Sequence, residues 1–289
     1  MRRKVALYLK IFFSLALIVF LLTRIDFTQL YKLKFSFIPY FFGGITISLI
    51  AISIMTYRWK ILTDNYLKIK IRLKQLYQYY LTGSFFNIFL PGAIGGDVVR
   101  TQRLSTRHDV KVKKATIITI AERFAGIYGL AIILAFSFMF MNFPEGFQIQ
   151  KFVPDWLLML SPVIVLAFSP LLKWILKKRG LVTNNRFILQ ITAISLLAQM
   201  GDITIAWLFS QYFGLNLNFT ALIFIMPFVY IATVLPISLG GLGIREGAFS
   251  GLMMLYGIDT SIAILISLLM YLVKVAVGVI GYGVYLKGR

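Results

Sequence analysis

Cysteine is missing altogether from this 289-residue chain, histidine occurs once, and Asp and Glu together number only 10. Without cysteine there is no disulfide or thiolate chemistry, and a lone His108 cannot build a multi-histidine metal cluster. No metal and no cofactor are therefore expected. Charge is scarce as well: 14% of residues are charged against 59% hydrophobic, with a mean hydropathy of +0.84. A surface facing water needs more polar groups than that, so lipid is the expected solvent. The stretches between apolar runs are too short to hold a separate soluble domain, which makes residues 1–289 a single membrane domain.

What the chain does have is positive charge, 30 Lys and Arg for a net +20. These residues sit in short blocks beside apolar runs rather than along one face, a pattern of membrane insertion and not of nucleic-acid binding. Apolar runs near spanning length occur at 5–22, 37–57, 115–141, 156–176, 187–213 and 260–286. The expected fold is an all-α polytopic membrane protein with six spanning helices. The first run follows Arg2-Arg3-Lys4 but has no small-residue cleavage site before Thr23-Arg24, so it reads as a retained helix. Basic groups number six in 58–74, six in 100–114 and five in 173–186, which assigns these blocks to the cytoplasm. Segments 142–155, 211–218 and 240–259 are nearly free of them and belong outside. Loop 24–36, with Arg24, Lys32 and Lys34, goes outside against that trend. Both termini are then expected in the cytoplasm, with the chain in the cell (inner) membrane.

Two segments do not fit simple crossings. The run 75–90 is short and has basic blocks on both sides, which suits a re-entrant hairpin. Its tip would be Pro91-Gly92-Ala93-Ile94-Gly95-Gly96-Asp97, with a helix resuming at Val98. Residues 219–257 are interrupted by Pro227, Pro236 and Gly240-Gly241-Leu242-Gly243, giving a second such hairpin; 219–239 either crosses or turns back. The two align without a gap at an offset of 145 residues, Leu90-Pro91, Gly95-Gly96 and Arg100 matching Leu235-Pro236, Gly240-Gly241 and Arg245. The chain thus divides into repeats 1–145 and 146–289. An odd number of crossings per half inserts the second copy upside down, the arrangement of many transporters.

Irregular backbone at membrane depth is tolerated only where protein or a watery cavity satisfies it, so both tips are expected to line a cavity. Each tip starts a helix whose amides favour an anion, with Arg100 or Arg245 close by, and a phosphate suits that pairing. Asp97 reads as a helix N-cap ahead of a proton or sodium role, and Glu246 is open in the same way. Glu122 and Arg123, and nearer mid-span Asp202 and Lys274, lie inside apolar runs, where a charge is costly unless paired. Glu122, Gly126 and Gly129 share one helix face, and Lys274, Gly278 and Gly281 repeat that pattern, so a buried ion pair that fixes close helix packing is one explanation. Asp202, partnered by Lys274 or Arg123, is the candidate for a change of state during transport. Tyr57, Trp59, Tyr79, Tyr80, Trp156 and Trp174 suit an interfacial belt. The glycines at 92, 95 and 96 form neither a Walker loop nor a dinucleotide fingerprint. The carboxylates make no close pair in sequence, although Asp97 and Glu246 could meet in space, which leaves an enzyme activity neither supported nor excluded.

Three stretches in order, Pro91 to Arg100, Ala121-Glu122-Arg123-Phe124-Ala125-Gly126 and Pro236 to Gly247, resemble the transmembrane region of the lysylphosphatidylglycerol synthases, a flippase-like family. The likeness covers nearly the whole chain. In the synthases this unit precedes a soluble domain that transfers lysine from transfer RNA to phosphatidylglycerol; this chain ends at Arg289, so the resemblance implies the flippase part without the synthase activity. It implies moving or binding a phospholipid or polyprenyl-phosphate lipid, with Asp97, Arg100, Glu122, Arg123, Arg245 and Glu246 as site candidates. Two other expectations remain open: a lipid-modifying transferase using Asp97 or Glu246 as base, and a non-catalytic partner of a separate glycosyltransferase or aminoacyltransferase.

Overall fold

A computed structural model describes residues 35–89, 95–140, 154–181, 184–234 and 243–287. The expected first span at 5–22 and most of both hairpin tips, 90–94 and 235–242, lie outside the described residues. All regular structure described is α-helical: α1 Phe37–Leu67, α2 Leu73–Phe89, α3 Gly95–Arg107, α4 Val112–Phe140, α5 Asp155–Ala167, α6 Ser169–Lys178, α7 Asn185–Tyr212, α8 Phe219–Val234, α9 Ile244–Met254 and α10 Thr260–Lys287. Helices α1, α4, α7 and α10, together with α5 and α6 taken as one 24-residue unit, are long and apolar enough to cross a membrane. The protein is a multi-pass α-helical membrane protein.

Several boundaries differ from those read off the apolar runs. α1 continues ten residues beyond 57, to Leu67, because Arg58 and Lys60 do not end it. Arg58 finds buried partners, and Lys60 bonds Asp64 one turn on. α3 begins at Gly95 rather than Val98, which places Asp97 inside the helix and not at its cap. Pro227 lies within α8, which runs through it to Val234, so it does not interrupt that segment. A membrane helix tolerates such a residue where neighbours satisfy the freed carbonyl.

The helix order recurs along the chain. Adding 145 to the bounds of α1, α2, α3 and α4 gives 182–212, 218–234, 240–252 and 257–285, against 185–212, 219–234, 244–254 and 260–287 for α7 to α10. The packing recurs too: α1 against α4 has its counterpart in α7 against α10, α2 against α10 in α8 against α4, and α4 against α7 in α10 against α1. α1 and α7 pack on each other in opposite directions. The Phe37 ring lies 5.2 Å from Tyr212, Ala51 abuts Gly201 near mid-length, and Arg58 bonds Ser195 at 2.9 Å.

Apolar packing is divided between the two ends of this pair. One cluster, with Phe209, Phe224, Phe249 and Met253, packs α8, α9 and α10 around the start of α1 and the end of α7. The other, with Trp59, Leu62, Leu76, Leu104 and Ile191, packs α2, α3 and α4 around the opposite ends. A smaller apolar cluster joins Ile52, Leu81 and Val277 of α1, α2 and α10. The two glycine faces do allow close approach: a Cβ on Gly129 would lie 2.8 Å from Ser195 Cβ, and one on Gly281 would collide with the Leu81 carbonyl oxygen.

Candidate functional site

Ser48, Ala51, Ile52, Met55 and Arg58 repeat every three or four residues along α1, so they share a face. That face opens on a cavity of about 390 Å³ between the two apolar clusters. α2 and α3 contribute Tyr80, Asn87, Asp97 and Arg100; α4 contributes Glu122 and Arg123; α7 contributes Asp202. Tyr230 of α8, Arg245 of α9, and Tyr271 and Lys274 of α10 complete the polar lining. Helices flanking both tips therefore contribute to one chamber, while the tips at 90–94 and 235–242, expected to line it, lie outside the described residues.

The first half is held by a continuous ionic network. Glu122 Oε1 accepts from Arg58 Nε at 3.1 Å, from Arg58 Nη2 and from the Tyr80 hydroxyl at 3.2 Å; its Oε2 accepts from Arg100 Nη2 at 2.6 Å. Arg100 Nε also donates to Asp97 Oδ1 at 2.8 Å, and Arg123 Nε donates to Asp97 Oδ2. Arg58, Arg100 and Glu122 are almost fully buried. The Arg100 guanidinium lies over Tyr80 at 4.4 Å and Trp59 at 5.0 Å, cation–π contacts that further offset its burial.

The second half is simpler. Arg245 donates to Glu246 Oε1, while Glu246 Oε2 accepts the Gly243 amide at 2.7 Å and so satisfies the start of α9. Arg245 sits 4.8 Å from the centre of the Tyr271 ring. Lys274 pairs with Asp202 at 3.0 Å, and the Tyr230 hydroxyl donates to the same carboxylate oxygen. This pair is open to the cavity, with side chains 37% and 22% exposed, so water can replace a lost partner. Asp202→Asn is expected to change stability by no more than about 1 kcal/mol, read as an unfolding temperature close to wild type; a collapse of the fold would show that the pair is essential.

All eight charged candidates named from the sequence are thus placed. Six line the cavity directly together with Arg245, and only Glu246 lies behind the lining, next to Arg245. Asp97 and Glu246 are held by different partners, Asp97 by two arginines and Glu246 by an amide and an arginine. Arg58 joins the lining residues without a sequence signal of its own, because a basic residue at the end of an apolar run reads as part of the cytoplasmic block 58–74. Trp59 and Tyr79 are buried and Tyr80 lines the cavity, so these three are not belt residues. Tyr57, Trp156 and Trp174 are exposed. His108 lies away from the cavity beside the Tyr79 hydroxyl at 3.3 Å, and burial holds its pKa below the ordinary histidine value.

Five lining residues are cationic (Arg58, Arg100, Arg123, Arg245, Lys274) and three anionic (Asp97, Glu122, Asp202), an excess of two positive charges. Counting Glu246 behind Arg245 leaves an excess of one. Arg100 Nη1 and Arg245 Nε are buried without a hydrogen-bond partner among the described residues. The fold and chamber define a polytopic membrane protein with a cationic cavity among its helices. By sequence the chain belongs to the family described as the lysylphosphatidylglycerol synthase TM region, with the match running over residues 7–281. Membership gives it a membrane-lipid-related character. No curated protein matches the chain significantly.

Proposed function

We propose that this protein binds a lipid with an anionic phosphate headgroup, a phospholipid or a polyprenyl-phosphate-linked lipid, and moves it across the cell membrane. The observation that carries this reading is the cavity itself: enclosed among the long apolar helices, net cationic, with two arginines from separate hairpin segments each keeping a buried nitrogen unpartnered among the described residues. A phosphate ester supplies the charge-assisted acceptors that such guanidinium groups lack. The volume of about 390 Å³ suits a headgroup and not whole acyl chains, so the tails stay in the bilayer during passage.

The two segments act as gates of an inverted repeat, one serving each face of the membrane. Support comes from the recurrence at 145 residues and from the opposite directions of the equivalent helices α1 and α7. Equivalent spans that run in opposite directions are what inversion requires, and both termini then face the cytoplasm. In proteoliposomes containing fluorescent anionic phospholipid or polyprenyl phosphate, wild type is expected to speed translocation. The double variant Arg100→Ala/Arg245→Ala should fall to the protein-free rate while still eluting as a folded species. Wild-type translocation unaffected by the double substitution would sink the proposal.

A further inference from the structure

Every described residue that lines the cavity is buried or half-buried except Ile127, which is 50% exposed. The mouth of the chamber therefore lies beside it. Ile127 stands near the middle of the spanning helix α4. Ile120, Phe124 and Ile127, at spacings of four and three, form one exposed apolar stripe on that helix. A mouth bordered by such a stripe on a spanning helix opens to hydrocarbon and not to water.

The neighbouring contacts frame this opening. Ile127, Leu134 and Phe138 share a face of α4, at spacings of seven and four. Towards the end of the helix that face is covered: Phe138 packs on Phe224 of α8 at 5.7 Å, and Leu134 joins the same apolar cluster. On the other side, one turn before Ile127, Arg123 bonds Asp97 of α3. Tyr230 and Thr233 of α8 line the cavity half-buried, and Ile231 between them is exposed. The equivalent seam of the repeat is shut. There α10 meets α2 at Gly278 and Gly281, where a Cβ would collide with Ile88 and the Leu81 carbonyl oxygen, and Phe85 packs on Tyr282 at 4.7 Å. The places 145 residues earlier on α4 carry Ile133 and Phe136, whose side chains do not permit that approach. Leu272, the counterpart of Ile127, is exposed without lining the cavity.

Resting on the lipid reading above, we infer that the gap beside Ile127, between α4 and α8, is the lateral opening through which the hydrocarbon tails of the bound lipid leave the cavity while the headgroup stays among its charges. A cavity of about 390 Å³ that does not hold the tails needs such an exit. Ile127 gives it an apolar rim on the lipid side, and Arg123, one turn away, lines the cavity at the same edge.

Filling the gap tests the assignment. In proteoliposomes containing fluorescent long-chain phosphatidylglycerol or polyprenyl phosphate, Ile127→Trp is expected to slow translocation about tenfold or more, while binding of the short-chain form of the same lipid to the purified full chain weakens less than about threefold. Phe124→Trp, on the same outer stripe but off the cavity, should translocate within about twofold of wild type. Undiminished translocation by a folded Ile127→Trp protein, an equal loss in Phe124→Trp, or a loss of short-chain binding as large as the loss of translocation would overturn the inference and leave the lipid reading standing. If Ile127→Trp does not fold, the absence of native cysteine allows a second measurement. The translocated lipid, compared with phosphatidylcholine, should protect Ile127→Cys but not Phe124→Cys from a lipid-soluble maleimide; equal protection at both positions would likewise overturn it. A wild type that translocates neither lipid would instead remove the lipid reading, and with it the occupant of the opening.

Discussion

Glu122→Ala is expected to be the most damaging single charge change in the protein, costing about 3–5 kcal/mol and lowering the unfolding temperature far below that of any cavity arginine variant. Glu122 is 2% exposed and takes hydrogen bonds from Arg58, Arg100 and Tyr80. Its removal leaves two guanidinium groups, each nearly fully buried, with Asp97, already shared with Arg123, as the one carboxylate among the described residues in contact with either. Unpaired buried charge is far more costly than the net worth of a pair, because the desolvation has already been incurred. Since a domain's whole stability is about 5–15 kcal/mol, monodisperse protein should be largely lost at ordinary temperature. Adding Arg58→Met should restore part of it by removing one stranded cation. A Glu122→Ala protein as stable as wild type would show that the network does not hold α1, α3 and α4 together.

Gly96→Val is expected to have the next largest effect, about 3 kcal/mol or more, acting through sterics alone. α2 and α3 meet backbone to backbone: a Cβ on Gly96 would collide with the Gly83 carbonyl oxygen and come within 2.7 Å of Asn87 Cγ. The Gly96 amide also donates to Asn87 Oδ1 at 2.7 Å, tying the two arms of the hairpin across its neck. A side chain there must splay the hairpin, and with it Asp97 and Arg100. The control is Gly247, in the first turn of α9, where an added Cβ meets nothing within 4 Å. Gly247→Ala should be neutral or slightly stabilising, by up to about 1 kcal/mol from helix propensity. Thermal unfolding of the two variants side by side separates them; equal behaviour would mean that the hairpin neck is not closely packed.

Much of this was legible without coordinates because lipid imposes strong rules on sequence. Spanning runs must be apolar for about 20 residues, and charges within them must be few, so Glu122, Asp202 and Lys274 stood out against their background. Matching glycine and proline signals recur at an offset of 145 residues, the offset at which the helix bounds of α1 to α4 fall near those of α7 to α10. Arg58 and Trp59 were not legible, since at the end of an apolar run they look like ordinary interfacial residues. Only contact with Glu122 and Arg100 from distant helices gives them another role. Arg100 was legible as a candidate but not in its partners, which come from α3 and α4 at once.

The sequence by itself determined the solvent, the helical class, the family and the eight charged positions, because each follows from composition, run length or motif spacing along the chain. Tertiary structure alone decided which charges meet. Asp202 chose Lys274 over Arg123, Glu122 gathered two arginines, and the two halves came out unequal around Arg100 and Arg245. The physical reason is that pairing in a low-dielectric interior depends on a few ångströms between side chains of separate helices, and periodicity within one helix sets only the face on which a residue lies.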